Sequence, residues 1–186
     1  MKTNLELGEF LSEQAAQGMS SDGLQMVESY IRSCWDKGVE VVLDPSMSHA
    51  FGSYDPADNV LTLGGPALSD PVQLIETLEH EFIHVLQDEM AGLDNAEMRS
   101  LGLPSTADGI HAVASSYGHT TADVQQLEVE AHSAEHLLNN PETLLTRASS
   151  GLEHDLAVAY TANGLSPLDA ALQATLDAPL LETFLA

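Results

Sequence analysis

Residues 71–91, PVQLIETLEHEFIHVLQDEMA, constrain this chain more than any other stretch. The spacing predicts one long helix. Ser69 and Asp70 can cap its start, Pro71 suits the first helical position, where a missing N–H is no loss, and Gly92 can end it. Leu74, Ile75, Leu78, Phe82, Val85 and Leu86 recur at helical spacing and form an apolar face. Gln73, Thr77, His80, His84 and Gln87 step by four and three residues and form a polar stripe along one side. The motif HEFIH, His80 to His84, lies within this run. Two histidines at i and i+4 can reach one metal ion, and Glu81 beside them is placed to work on a water at that ion. The bland alternative is a pair of solvated histidines; the caps and the continuous polar stripe weigh against it.

Neutral imidazoles suit zinc, and a catalytic zinc takes three protein ligands with water in the fourth position. The third ligand is not in this helix. A metzincin continuation needs Gly and then His where this chain has Gln87 and Met90. The alternative is a carboxylate from a second helix, expected over residues 121–139. Thr120 or Thr121 can cap it, and Asp123 suits the positive helix start. Leu127, Ala131, Ala134 and Leu138 give it an inner face, while Glu128, His132 and Glu135 share one side. Glu128 is the expected third ligand. Glu130 lies about 200° around the helix from it, so only one of the two can face the metal. The competing reading of Glu128 is an ordinary solvated helix carboxylate.

The run GSYDPADNVLTL (residues 52–63), then LEHEFIHVLQD, then EVEA resembles a small zincin-type metallopeptidase of the gluzincin kind. Its layout is similar to the mitochondrial inner-membrane peptidase family that processes an ATP synthase subunit, with a Gly-rich hairpin, an HExxH helix and a later Glu-x-x-Ala helix. Glu128 stands three residues before Ala131, the Glu-x-x-Ala context in which many gluzincins place a ligand. The resemblance covers about residues 39–138 and is most specific in the HExxH part. It implies a zincin-like α+β fold and a zinc peptidase acting on a peptide or protein substrate. The roles follow: zinc on His80, His84 and Glu128, with Glu81 as general base. The cysteines that mark the mitochondrial family are absent here, so its substrate does not carry over.

Elsewhere the chain reads as scaffold. Residues 3–17 and 20–37 are expected helices, ended by Gly18 and Gly38. Val39 to Leu43 should form a strand, and residues 51–54 and 60–63 a hairpin around DPADN. The strand at 60–63 is the expected cleft edge, where an extended peptide could pair; an ordinary hairpin is the alternative. Residues 92–120 read as a loop with room for one short helix. They carry His111, Tyr117 and His119, of which Tyr117 and His119 are the leading candidates to donate to the oxyanion of a tetrahedral intermediate. His132 could orient a metal ligand from one turn away. Three C-terminal helices are expected, one opened by Asn140-Pro141 and closed by Gly151, one at about 152–163, and one opened by Ser166-Pro167 and ending before Pro179, and the whole chain is expected to be one domain, 1–186.

With 186 residues, 44% of them hydrophobic, the chain can bury a real core. Its net charge of −24 repels phosphates, which argues against direct nucleic-acid binding. Cys34 is the single cysteine, excluding an internal disulfide and a cysteine metal cluster, and it reads as a small core residue. There is no apolar run of membrane-spanning length and no apolar signal core in MKTNLELGEF, so the expectation is a cytoplasmic protein without membrane contact. Two other function classes compete with a peptidase: a non-catalytic zinc-bound binding module, and an acidic mimic of DNA. Glu81 argues against the former, because holding a metal does not need it.

Overall fold

The computed structural model describes residues 3–92, 97–103 and 105–134, and their fold is α+β. Strand β1 (Thr3–Asn4) leads into α1 (Leu7–Ala16) and α2 (Ser21–Asp36). Strands β2 (Glu40–Asp44), β3 (Gly52–Asp55) and β4 (Val60–Gly64) follow, then a one-turn helix α3 (Gly65–Leu68) and the long helix α4 (Pro71–Ala91). Helices α5 (Ala107–Ser116) and α6 (Ala122–Ala134) complete the described part. The expected C-terminal helices, residues 135–139 of the second ligand helix, and with them Glu135 and Leu138, lie outside the described residues.

The four strands form one sheet in the order β1-β2-β4-β3, with β2 parallel to β4 and the other pairs antiparallel. Two expectations change here. The first helix does not begin at residue 3. Thr3 and Asn4 pair with Leu43 and Val42, and the Leu5 amide bonds the Val41 carbonyl, so Leu5 enters the core from the end of a strand. The hairpin forms as expected, but its inner and outer strands are reversed. Strand β4, whose Leu61, Thr62 and Leu63 are all buried, lies between β2 and β3, and β3 is the edge. The cause is compositional: VLTLG suits a strand covered on both faces, whereas GSYD alternates between half-buried and exposed.

Helix α4 begins and ends as its sequence predicts. Asp70 caps it by accepting from the Val72 and Gln73 amides, Pro71 opens it, and Gly92 closes it at φ 107°, a left-handed conformation that glycine adopts at least cost. It packs against α2, α3, β3 and α6. Apolar contacts such as the edge-on Tyr30–Phe82 pair fill its α2 side. The ten residues from Glu79 to Asp88 are all buried, although six of them are polar or charged. A buried polar group is costly unless it finds a partner, so this stripe must be organised by its neighbours. No helix among the described residues is long and apolar enough to cross a membrane.

Candidate metal centre

His80 and His84 stand one turn apart on α4, with their Nε2 atoms 3.1 Å from each other. Helix α6 lies across this stripe and brings Glu128 to it. Glu128 Oε2 is 3.4 Å from His80 Nε2, and Oε1 is 3.7 Å from His84 Nε2. One donor atom from each of the three residues lies within 4.8 Å of the others. Among the described residues this is the group able to hold a metal ion.

The donor set fits zinc. Two imidazoles and one carboxylate are a known catalytic combination for that ion. Bonds of about 2.0–2.1 Å in tetrahedral geometry separate two ligand nitrogens by about 3.3 Å, close to the 3.1 Å found here. Glu128 Oε2 is also buried without a hydrogen-bond partner, an acceptor aimed at the histidines and otherwise unsatisfied. Burial alone would push the Glu128 carboxyl up. The two histidines more than offset that and hold it well below the usual carboxylate range.

Glu81 lies beside this group, buried against strand β3. Burial raises its pKa, the neighbouring histidines pull it down, and Glu128 adds repulsion; the net shift is upward. Its carboxylate accepts a hydrogen bond from the Tyr54 amide. That amide is free for it because Gly64 bonds Phe51 and the Gly52 and Tyr54 amides therefore face away from β4. The approach of β3 to α4 depends on Gly52. A Cβ there would lie 2.5 Å from Thr77 Cγ2 and 3.0 Å from Glu81 Oε1. Tyr54 also reaches two turns further along α4, where its hydroxyl donates to Asp88 Oδ2 at 2.5 Å.

Glu130, the other carboxylate considered as a ligand, has a different task. It faces residues 100–103 and accepts from Ser100 Oγ (3.1 Å), the Leu101 amide (2.8 Å) and the Leu103 amide (2.7 Å). It also accepts from Gln87 Nε2 at 2.8 Å. The same Gln87 nitrogen donates to the Leu127 carbonyl, and Gln87 Oε1 lies 2.8 Å from His84 Nδ1. His132, one turn beyond Glu128, lays its ring 4.5 Å from that of His80, and the Tyr117 ring lies 6.2 Å from His132. Tyr117 thus comes near the group through His132. His119 is exposed in the turn after α5, and His111 is exposed on α5 itself.

The sequence carried a sign of Gln87, which continues the polar stripe three residues after His84. Gly52, Tyr54 and the task of Glu130 carried none, since they depend on which strand and which irregular segment meet α4 and α6. Comparisons of the chain with protein-family models, with curated proteins and with solved structures returned no match.

Proposed function

We propose that the chain is a zinc-dependent peptidase of the gluzincin kind, its zincin-like core built on α4, β3 and α6. The observation that carries this reading is a buried Glu81 beside a His80–His84–Glu128 donor set, on a carboxylate held by the β3 backbone. Zinc on those three residues would supply the positive charge that acidifies an attacking water and polarises a peptide carbonyl.

The chain's own groups do the rest. The Glu81 carboxylate takes the proton of the attacking water and passes it to the leaving amine nitrogen. Burial of Glu81 disfavours its charged form, which favours its taking up a proton. The Tyr54 amide fixes the carboxylate that must do this. Strand β3 offers an extended substrate the outward-facing backbone groups of Gly52 and the Tyr54 carbonyl, so peptide addition belongs to β3 rather than β4. On the α6 side, Tyr117 is the favoured donor to the developing oxyanion, with His119 behind it because its side chain is exposed.

Elemental analysis of the purified protein should find about one zinc per chain, and failure to take up added zinc would overturn the reading. Glu81→Gln should stay folded and zinc-loaded but lose about 10²–10⁴ in rate on any peptide the wild type cleaves. Glu128→Ala and His84→Ala should lose metal and activity together. Full activity in Glu81→Gln would remove Glu81 from the chemistry. A cellular function that survives Glu81→Gln but not His84→Ala would favour the zinc-bound binding module instead.

A further inference from the structure

A histidine can offer a metal only the nitrogen that carries no proton, so something must decide which nitrogen that is. For His84 the hydrogen bonds around Gln87 make the decision. Gln87 Nε2 meets two acceptors, the Leu127 carbonyl at 3.1 Å and Glu130 Oε2 at 2.8 Å. The carbonyl can never donate, so this end of the Gln87 amide must be the NH₂. Its oxygen is therefore the atom 2.8 Å from His84 Nδ1, and only an Nδ1–H can bond it. The proton sits on Nδ1, and the lone pair of Nε2 points toward His80 and Glu128.

The far end of this chain is equally directed. Glu130 receives Ser100 Oγ and two backbone amides, Leu101 and Leu103, besides Gln87. The Arg99 amide also bonds the Gln87 carbonyl at 2.8 Å, so the same irregular segment grips α4 by its backbone. Amides of that segment donate to Glu130, Gln87 donates to Glu130, and His84 donates to Gln87. Each donor and acceptor has one sense, and the set ends on a metal-facing nitrogen.

We propose that Gln87 and Glu130 are positioning residues: together with the backbone of residues 100–103 they hold His84 in its Nδ1–H form with Nε2 presented to the metal. The proposal rests on the zinc reading for its purpose, but the proton position can be measured without metal.

The test uses zinc affinity by chelator competition, and long-range ¹H–¹⁵N NMR of His84 in metal-free protein at a pH where the ring is neutral. Wild-type His84 should be protonated on Nδ1. Gln87→Leu should move the proton to Nε2 and weaken zinc by about 10–100-fold. The exchange Gln87→Glu with Glu130→Gln keeps the His84–87 and 87–130 bonds while moving the charge: the carboxylate at 87 accepts from His84 and from the new amide at 130, and the bonds to the Leu127 carbonyl and from the Leu101 amide are given up. It should restore the Nδ1–H ring and part of the affinity lost in Gln87→Leu, which a purely space-filling role would not predict. A Gln87→Leu protein with an Nδ1–H ring and wild-type zinc affinity would overturn the proposal. If Gln87→Leu does not fold, the exchanged pair decides alone, and an Nε2–H ring in it would overturn the proposal equally. A wild type that takes up no zinc, yet shows an Nδ1–H ring that Gln87→Leu abolishes, would remove the zinc reading and leave the relay standing.

Discussion

A single missing side chain sets how close Glu81 comes to strand β3. Gly52 faces Thr77 and Glu81, and the 2.5 Å gap a Cβ would leave to Thr77 Cγ2 is shorter than carbon atoms tolerate. Gly52→Ala should therefore push β3 away from α4, at an overpacking cost of about 1–3 kcal/mol. The same movement draws the Tyr54 amide off the Glu81 carboxylate. The expected outcome is a folded protein with a lowered denaturation midpoint, near-normal zinc content and a reduced kcat. Zinc lost in step with activity would mean that Gly52 shapes the metal ligands rather than the base. Cys34 shows the opposite case, a residue whose environment silences it. It is fully buried, and burial pushes its thiol up to about 12. A thiol-reactive dye should leave the native protein unlabelled and label one cysteine per chain after unfolding; rapid labelling of the native form would contradict that burial.

Helix α4 carries its polar stripe through the interior because neighbouring elements answer it group by group. Strand β3 answers Glu81 and Asp88 through Tyr54, helix α6 and its partner segment answer Gln87, and Lys37 at the end of α2 meets Glu89 at 2.7 Å. Asp88 is the least satisfied of these. Its Oδ1 is buried without a hydrogen bond, and burial raises its pKa despite the Tyr54 hydroxyl. A carboxyl whose folded pKa is raised holds its proton more tightly in the folded state than in the unfolded one. Its ionisation then takes stability away as pH rises above the unfolded value near 3.8. Asp88→Asn keeps an acceptor for Tyr54 and removes the charge. Urea midpoints should show the variant gaining on the wild type as pH climbs from about 4 toward neutrality. A difference independent of pH, or one moving the other way, would mean Asp88 is stabilised as a charge. Of these elements, α4 was legible in full: caps, apolar face and His80–Glu81–His84 all follow from local spacing. Glu128 was legible in part: helical register says that only one of Glu128 and Glu130 can face the histidines and leaves open which, and the packing of α6 on α4 brings Glu128. The β3 edge was not, because a strand's place in a sheet depends on what pairs from elsewhere in the chain. Nor was the task of Glu130, whose partners include the Leu101 and Leu103 amides of an irregular segment, groups that side-chain patterning cannot reveal.

At the scale of the whole molecule the dominant fact is charge: 29 acidic residues against 5 lysines and arginines, for a net −24. Some of that small supply of positive charge is already committed locally. Lys37 is held by Glu89 in a largely buried pair, and Arg32 pairs with Glu28 one turn away on α2, an exposed contact of small energetic weight. The exposed acidic groups among the described residues repel one another across the surface, and the folded state holds them closer together than the unfolded chain does. Dissolved salt weakens that repulsion, since the screening length falls from about 30 Å at about 0.01 M to about 8 Å at about 0.15 M. The zinc-saturated protein should therefore gain several degrees in Tm when sodium chloride is raised from about 0.01 M to about 0.3 M, with most of the gain at the low end. Choline chloride should act as well as sodium chloride, because the mechanism is screening and not occupation of a cation site. Lys37→Met should leave the salt response in place, because a largely buried pair is screened far less than surface charges. A Tm that stays flat or falls with added salt would show that the acidic groups lie too far apart, or too well compensated, to strain the fold. A gain seen with sodium but not with choline would point instead to a bound cation.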